Sequence, residues 1–510
     1  MRPGADFWLF LLSTGTCFAA HPCQSCHPRE VAAYSQSAMA NSLRRPAKEP
    51  TGAFNAGADA RFTIHTGTGA FLQRMDRGGE TSEYRIAYVI GSGRHASGYL
   101  VQAGDHLFQS PICYYTVRRA YDLAPGYERI STPDFTRPVG EQCLLCHSGK
   151  PLPIAGTANR YASPAFSSAG ISCDRCHGPA EEHLRKPIPG SIVNPAKLAN
   201  AARDSVCEQC HLAGVARILN SGKTFQDFHA GQPLEETFTI FTARARGFRV
   251  ISHSEQLAQS LCVKESGSKL WCGTCHDPHP ASPVSKATYN SRCEACHAGP
   301  LSKSHASEKD CVSCHMPKRQ AQDGGHTAFT DHRIARRPEG ELPSASQDEL
   351  VPWRAADPVL QARNLALAYV DAGIANRSPT QMVRGYRMLT EVEKTSPNDV
   401  AVLRAIGRAL LLGKQPSEAV RAFERALVLT PGNATSEEDA GVACLEAGDV
   451  ENAVRHLEQA MASDSLLLTA ATALQQAYRQ QGHGERADAL ANRIRREMNS
   501  AAPSRNAPVH

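Results

Sequence analysis

Apolar and polar residues along this chain follow three different rhythms. Between residues 54 and 120 they alternate in short runs, Arg61–His65, Tyr84–Ile90, Tyr99–Gln102 and His106–Val117, rich in Tyr, Val, Ile and Phe. A period of two puts one face of a strand inside and the other outside. Breaks at Asp76-Arg77-Gly78-Gly79 and Ala103-Gly104-Asp105 have hairpin-turn chemistry. A small antiparallel β insert is expected over about 54–120. From Gln361 the rhythm turns helical, in a composition of Ala, Leu, Arg and Glu. Between residues 140 and 335 neither rhythm holds. Pro, Gly and short polar segments are frequent there, and short helices joined by loops are what such a chain can form.

The helical part repeats itself. Gly373, Gly407 and Gly441 are spaced by 34 residues, as are Ala419, Ala453 and Ala487. The pairs Pro397/Pro431 and Ala426/Ala460 keep the same interval, and Phe423 and Leu457 fill equivalent bulky positions. Thirty-four is the tetratricopeptide period, in which small residues let paired helices approach and a Pro ends the second helix. The register predicts an α-solenoid over 361–501, with repeats at about 366–399, 400–433, 434–467 and 468–501. Its first and last repeats are degenerate, as capping repeats are. A plain Ala-rich bundle is the alternative. Residues 336–360 read as a polar, Pro-containing linker, and 502–510 as a disordered tail.

The irregular region carries the chemistry. CxxCH, the attachment signal of c-type haem, occurs seven times. The copies end at His27, His147, His177, His211, His276, His297 and His315. Their cysteines, Cys23, Cys26, Cys143, Cys146, Cys173, Cys176, Cys207, Cys210, Cys272, Cys275, Cys293, Cys296, Cys311 and Cys314, are 14 of the 18 in the chain. A lone copy could be half a zinc site or a redox dithiol. Seven copies, each with His directly after the second Cys, point to seven covalently bound c-type haems. Cys272–His315 packs three of them so tightly that the haems must share walls. Residues 21–335 then form a multihaem cytochrome c domain, mostly α with little regular structure, in which porphyrin supplies the core. The composition agrees: hydrophobic residues are 41% and aromatics 6%, which is lean for two apolar cores.

A net charge of +5 gives no reason to invoke nucleic acid. Arg2, the apolar run Phe7–Leu12 and small residues to Ala20 read as a signal peptide over 1–20, cleaved near Ala19 or Ala20. Export to a bacterial periplasm is expected, and no later run is apolar for long enough to span a bilayer. Cys17 would leave with the signal, and Cys113, Cys262 and Cys444 read as buried small apolar residues.

An iron with one proximal His has a sixth position, and its occupant separates carriers from catalysts. Candidates are His95, His183, His253, His279, His305, His332 and, for the first haem, Met39. His183 and His279 follow their own motifs too closely to reach around their own haem, so each is expected to serve a neighbour, and His305 similarly. His326 and His332 compete for one role. His21, His65, His106 and His229 rank lower, as solvated or capping residues.

The stretches 23–39, 88–100, 170–183, 191–198, 272–279 and 310–318, with His332 after them, resemble multihaem c-type cytochromes related to hydroxylamine oxidoreductase, octahaem tetrathionate reductase and the tetrahaem carrier of nitrifying bacteria. With the 34-residue repeats, the whole resembles periplasmic multihaem proteins that carry tetratricopeptide repeats. The resemblance implies bis-His haems with neighbour-supplied ligands, supporting His95, His183, His279, His305 and His332. Where those families often carry a distal His after the first motif, this chain has Met39. The function expected first is electron transfer along packed haems, with the concave face of the repeats docking a redox partner. The alternative is an oxidoreductase acting on a small nitrogen or sulfur compound at one open haem. A scaffold with structural haems is the third.

Overall fold

The computed structural model describes residues 22–67, 69–243, 248–267, 269–279, 284–297, 310–336 and 349–499. The expected signal peptide, His305, the tail and residues 337–348 of the expected linker lie outside the described residues.

The β insert is larger than its alternation suggested. Ten strands form one antiparallel sheet. In chain order they are β1 (Leu43–Arg44), β2 (Gly52–Ala56), β3 (Ala60–Gly67), β4 (Ala70–Arg77), β5 (Glu80–Ile90), β6 (Ala96–Ala103), β7 (His106–Gln109), β8 (Ile112–Tyr115), β9 (Ala120–Leu123) and β10 (Arg137–Pro138). The central path runs β10-β7-β6-β5-β4-β3-β2, with β1 beside β5 and β8 beside β6 and β9. Both expected hairpins are present. Arg77 pairs with Glu80 across Gly78 and Gly79, whose φ angles of 57° and 84° suit a two-residue turn matched to strand twist. Strand β4 has no alternation to read, because Ala70–Gln73 is buried on both faces. Strands β1 and β10 are two residues long and carry no periodic signal at all.

The repeats form four helix pairs: Pro358–Asn376 with Pro379–Thr395, Val400–Leu412 with Pro416–Leu429, Ala434–Glu446 with Val450–Ser463, and Leu468–Gln480 with Gly484–Asn499. The glycines spaced by 34 sit where two helices touch. A Cβ on Gly407 would lie 2.5 Å from Phe423 Cε1, and one on Gly441 would lie 2.6 Å from Leu457 Cγ. Ala419, Ala453 and Ala487 are fully buried at the same contacts. Gly441→Ala is therefore expected to cost about 1–3 kcal/mol by overpacking, read as a lower midpoint in chemical denaturation.

The expected linker is partly structure. Leu350–Pro352 is a strand that pairs with Phe238–Ala243, which in turn pairs with Ala216–Leu219. Arg354 forms an ion pair with Glu208, inside the fourth CxxCH, and another with Glu235 at 3.1 Å. The first repeat helix starts at Pro358, ahead of the periodic signal, because Asp357 accepts from the Val359 and Leu360 amides and Pro358 fits the first helical position. Both ends of the solenoid rest on the front half. Ala216, Ile218, Phe241 and Leu350 share a core with the first three repeats. Leu466 and Met498 share a core with Phe62, Tyr99 and Phe108 of the large sheet. Among the described residues, no helix is long and apolar enough to cross a membrane.

Candidate haem-binding sites

Each described motif is wound into about one helical turn. The amides of His27, His177, His276 and His297 donate to the carbonyl of the first cysteine in their own motif, at 2.8–3.0 Å. That turn sets residues three apart on one face, so both thiols of a CxxC point to the same side. Asp310 caps the last turn by accepting from the Ser313 amide. The fourth motif ends a longer helix, Asn200–His211.

The histidines pair across motifs. The ring of His183 stands parallel to His27, with centroids 6.4 Å apart and planes at 20°. His279 stands opposite His177 at 6.0 Å and 26°. His332 stands opposite His276 at 6.1 Å and 35°. Two metal–nitrogen bonds of about 2 Å, with ~1.1 Å from each nitrogen to its ring centre, span ~6.2 Å. The three separations fit a metal held between the rings. His253 lies against both His211, at 5.1 Å, and His332, at 4.8 Å.

The ring nitrogens are oriented for the same purpose. His147, His177 and His315 place Nδ1 on the carbonyls of Ser42, Val193 and Ala335, at 3.2, 2.8 and 2.9 Å. On the partner side, His332 Nδ1 meets the Thr330 carbonyl at 2.9 Å and His183 Nδ1 meets Ser191 Oγ at 2.8 Å. A fixed Nδ1 sets the tautomer and leaves Nε2 as the ligand atom.

The packing leaves room for an apolar group. Between Phe248 and Ala321, a span with three motifs, no hydrophobic side chain is buried among the described residues. Cys143, His211 and His276 are reachable by solvent. Yet desolvation raises the Cys143 thiol and lowers both histidines. Cysteine pairs from different motifs meet in the same places: Cys23 with Cys173, Cys146 with Cys210, Cys207 with Cys272, and Cys293 with Cys311. Donor set and missing core both fit c-type haem.

Several expectations change. The first motif, for which Met39 was expected as the partner, has the ring of His183 opposite its His27. Met39 instead lies in the turn that meets the second motif, where Ser42 Oγ donates to the His147 carbonyl at 2.8 Å. His95 lies against Phe329, with ring centroids 4.6 Å apart and planes at 40°. His326 Nε2 lies 2.9 Å from the Asp122 carboxylate while His332 faces His276, which separates the two. His106 is neither solvated nor capping: it is buried between Asp105 and Asp464. His65 pairs with Glu83 at the surface and His229 is exposed, in keeping with their lower rank. Cys113 and Cys444 are buried, but Cys262 is only partly so and lies near the fifth and sixth motifs. Sequence reasoning missed Tyr289, whose hydroxyl is 3.3 Å from His276 Nδ1. A tyrosine four residues before a CxxCH carries no signal by itself.

No protein-family model matches the chain. Among curated proteins it is similar to the multiheme cytochrome MtrA of Shewanella baltica, 26% identical over 187 residues, covering 32% of this chain and 56% of MtrA. It is also similar to the C-type polyheme cytochrome OmcB of Geobacter sulfurreducens, 25% identical over 190 residues, covering 34% of this chain and 24% of OmcB. The chain thus spans about half of one relative and a quarter of the other. Solved structures of MamA align with it at low similarity. One is 20% identical over 26% of this chain, with a TM-score of 0.23. Another, from Desulfovibrio magneticus RS-1, is 19% identical over 28%, with a TM-score of 0.25. The attachment motifs and the two cytochrome relatives together support a multihaem c-type cytochrome, joined here to a solenoid of helical repeats.

Proposed function

We propose that this protein is an exported electron carrier with seven c-type haems, attached through the cysteines of its seven CxxCH motifs. The motif histidines take the proximal positions. His183, His279 and His332 supply sixth ligands to the irons at His27, His177 and His276, each serving a motif other than the one nearest before it in sequence. What carries this reading is the placement of His27 opposite His183, His177 opposite His279 and His276 opposite His332, at 6.0–6.4 Å with planes 20–35° apart. Such interlocking keeps neighbouring haems close, and closeness is what electron transfer along a chain of cofactors requires. The solenoid is braced on the front half at both ends, and a redox partner docks on the surface it leaves free.

A pyridine haemochrome assay against protein concentration is expected to return seven haems per chain. EPR of the oxidised protein is expected to show low-spin signals from the three pairs. A count well below seven would overturn the attachment reading. A high-spin haem that binds nitrite or hydroxylamine would turn the reading towards an oxidoreductase.

A further inference from the structure

Among the motif histidines whose Nδ1 partner is described, His276 stands apart. His147, His177 and His315 meet peptide carbonyls at 2.8–3.2 Å. His276 Nδ1 meets the Tyr289 hydroxyl at 3.3 Å, with the two rings edge to face at 5.4 Å. Tyr289 belongs to the helix Lys286–Glu294, which leads into the sixth motif. That helix is held in place. Ser285 accepts from the Thr288 amide at its start. Lys286 Nζ reaches Asp310 at 2.8 Å and Ser313 Oγ at 2.9 Å, tying it to the seventh motif. Asn290, the next residue after Tyr289, is buried. The tyrosine is therefore a positioned partner of a histidine from a different motif.

We infer that Tyr289 sets the reduction potential of the haem at His276 above those whose proximal histidines donate to peptide carbonyls. The inference rests on the reading that His276 binds iron through Nε2. The proton is then on Nδ1, and Nδ1–H donates to the phenol oxygen. A phenol oxygen is a poorer acceptor than a peptide carbonyl, and this bond is the longest of the four. The imidazole keeps less anionic character, donates less charge to iron, and stabilises the oxidised state less. Tyr289 acts through His276 and is a positioning residue.

The experiment is a redox titration of the full haem-loaded chain, followed by EPR and absorbance. The wild-type haem count is established first, which tests iron attachment separately. Tyr289→Phe removes the acceptor and is expected to raise the one-electron reduction equilibrium of a single component about three- to tenfold, with the other components fixed. Incorporation of 3-fluorotyrosine at 289 keeps the shape and weakens the oxygen as an acceptor. It is expected to move the same component in the same direction by less. If neither substitution moves any component, or if all components shift together, the inference is wrong.

Discussion

Replacing His183 with alanine is expected to convert one haem in seven from low-spin to high-spin, and Met39→Ala is expected to leave the spectrum unchanged. His183 lies on the short helix Glu181–Arg185, just past the third motif. Its ring faces His27, of the first motif, with planes 20° apart. Ser191 Oγ holds Nδ1 and itself donates to the Ile188 carbonyl, so the ring cannot turn freely. Nε2 is thus left as the ligand atom. Without it, the iron at His27 keeps one axial ligand and the sixth position opens. EPR of the oxidised variants reads both outcomes directly. The sharp alternative is a charge-transfer band lost in Met39→Ala with His183→Ala unchanged. That result would return Met39 to the first haem and reject the pairing.

Asp464→Ala is expected to destabilise the joint between sheet and solenoid by about 3–5 kcal/mol, the usual cost of stripping one partner from a buried pair. His106, on β7, is 3% exposed and Asp464, between the third and fourth repeats, is 0% exposed. Asp464 Oδ1 lies 2.6 Å from His106 Nε2, and Asp105 lies 2.9 Å from Nδ1. The second oxygen of Asp464 accepts from the Ala158 amide at 3.2 Å. Arg160 completes the joint, pairing with Asp105 and donating to the Ser463 carbonyl. Loss of the carboxylate strands a buried ring nitrogen and leaves the half-buried Ala158 N–H without its acceptor. Chemical denaturation should then show the repeats melting before the sheet, and limited proteolysis should release them earlier. A double-mutant cycle with His106→Ala should give a coupling well above 1 kcal/mol, since the two side chains touch. An unchanged denaturation midpoint in Asp464→Ala would show that the apolar contacts of Leu466 and Met498 hold the joint alone.

The two predictions lie at opposite ends of what could be read in advance. His183 was visible as a candidate because it crowds its own motif, so it had to serve another. Which other motif was not visible, since His27 is far away in sequence. His106 looked solvated because a polar residue at a hairpin start usually is. Its buried setting comes from a residue far along the chain, and no local pattern reports such a partner. The linker misled for the same reason. Leu350–Pro352 is too short to show alternation and becomes a strand only because Phe238–Ala243 offers an edge. Tyr289 is another case, because its role lies in the ring it meets.

By itself the sequence determined what is encoded locally or by repetition. It set the seven attachment motifs, because covalent haem linkage needs two thiols and a histidine in one turn. It set the repeat period, because Gly407 and Gly441 must face Phe423 and Leu457 at the same interval. It set the hairpins at Gly78-Gly79 and Gly104, because their φ angles are positive. The tertiary structure alone decided which histidine stands opposite which, that the solenoid is clamped at both ends, and that His106 is buried. These depend on contacts between residues distant in sequence. Such contacts are made only when the whole chain has packed.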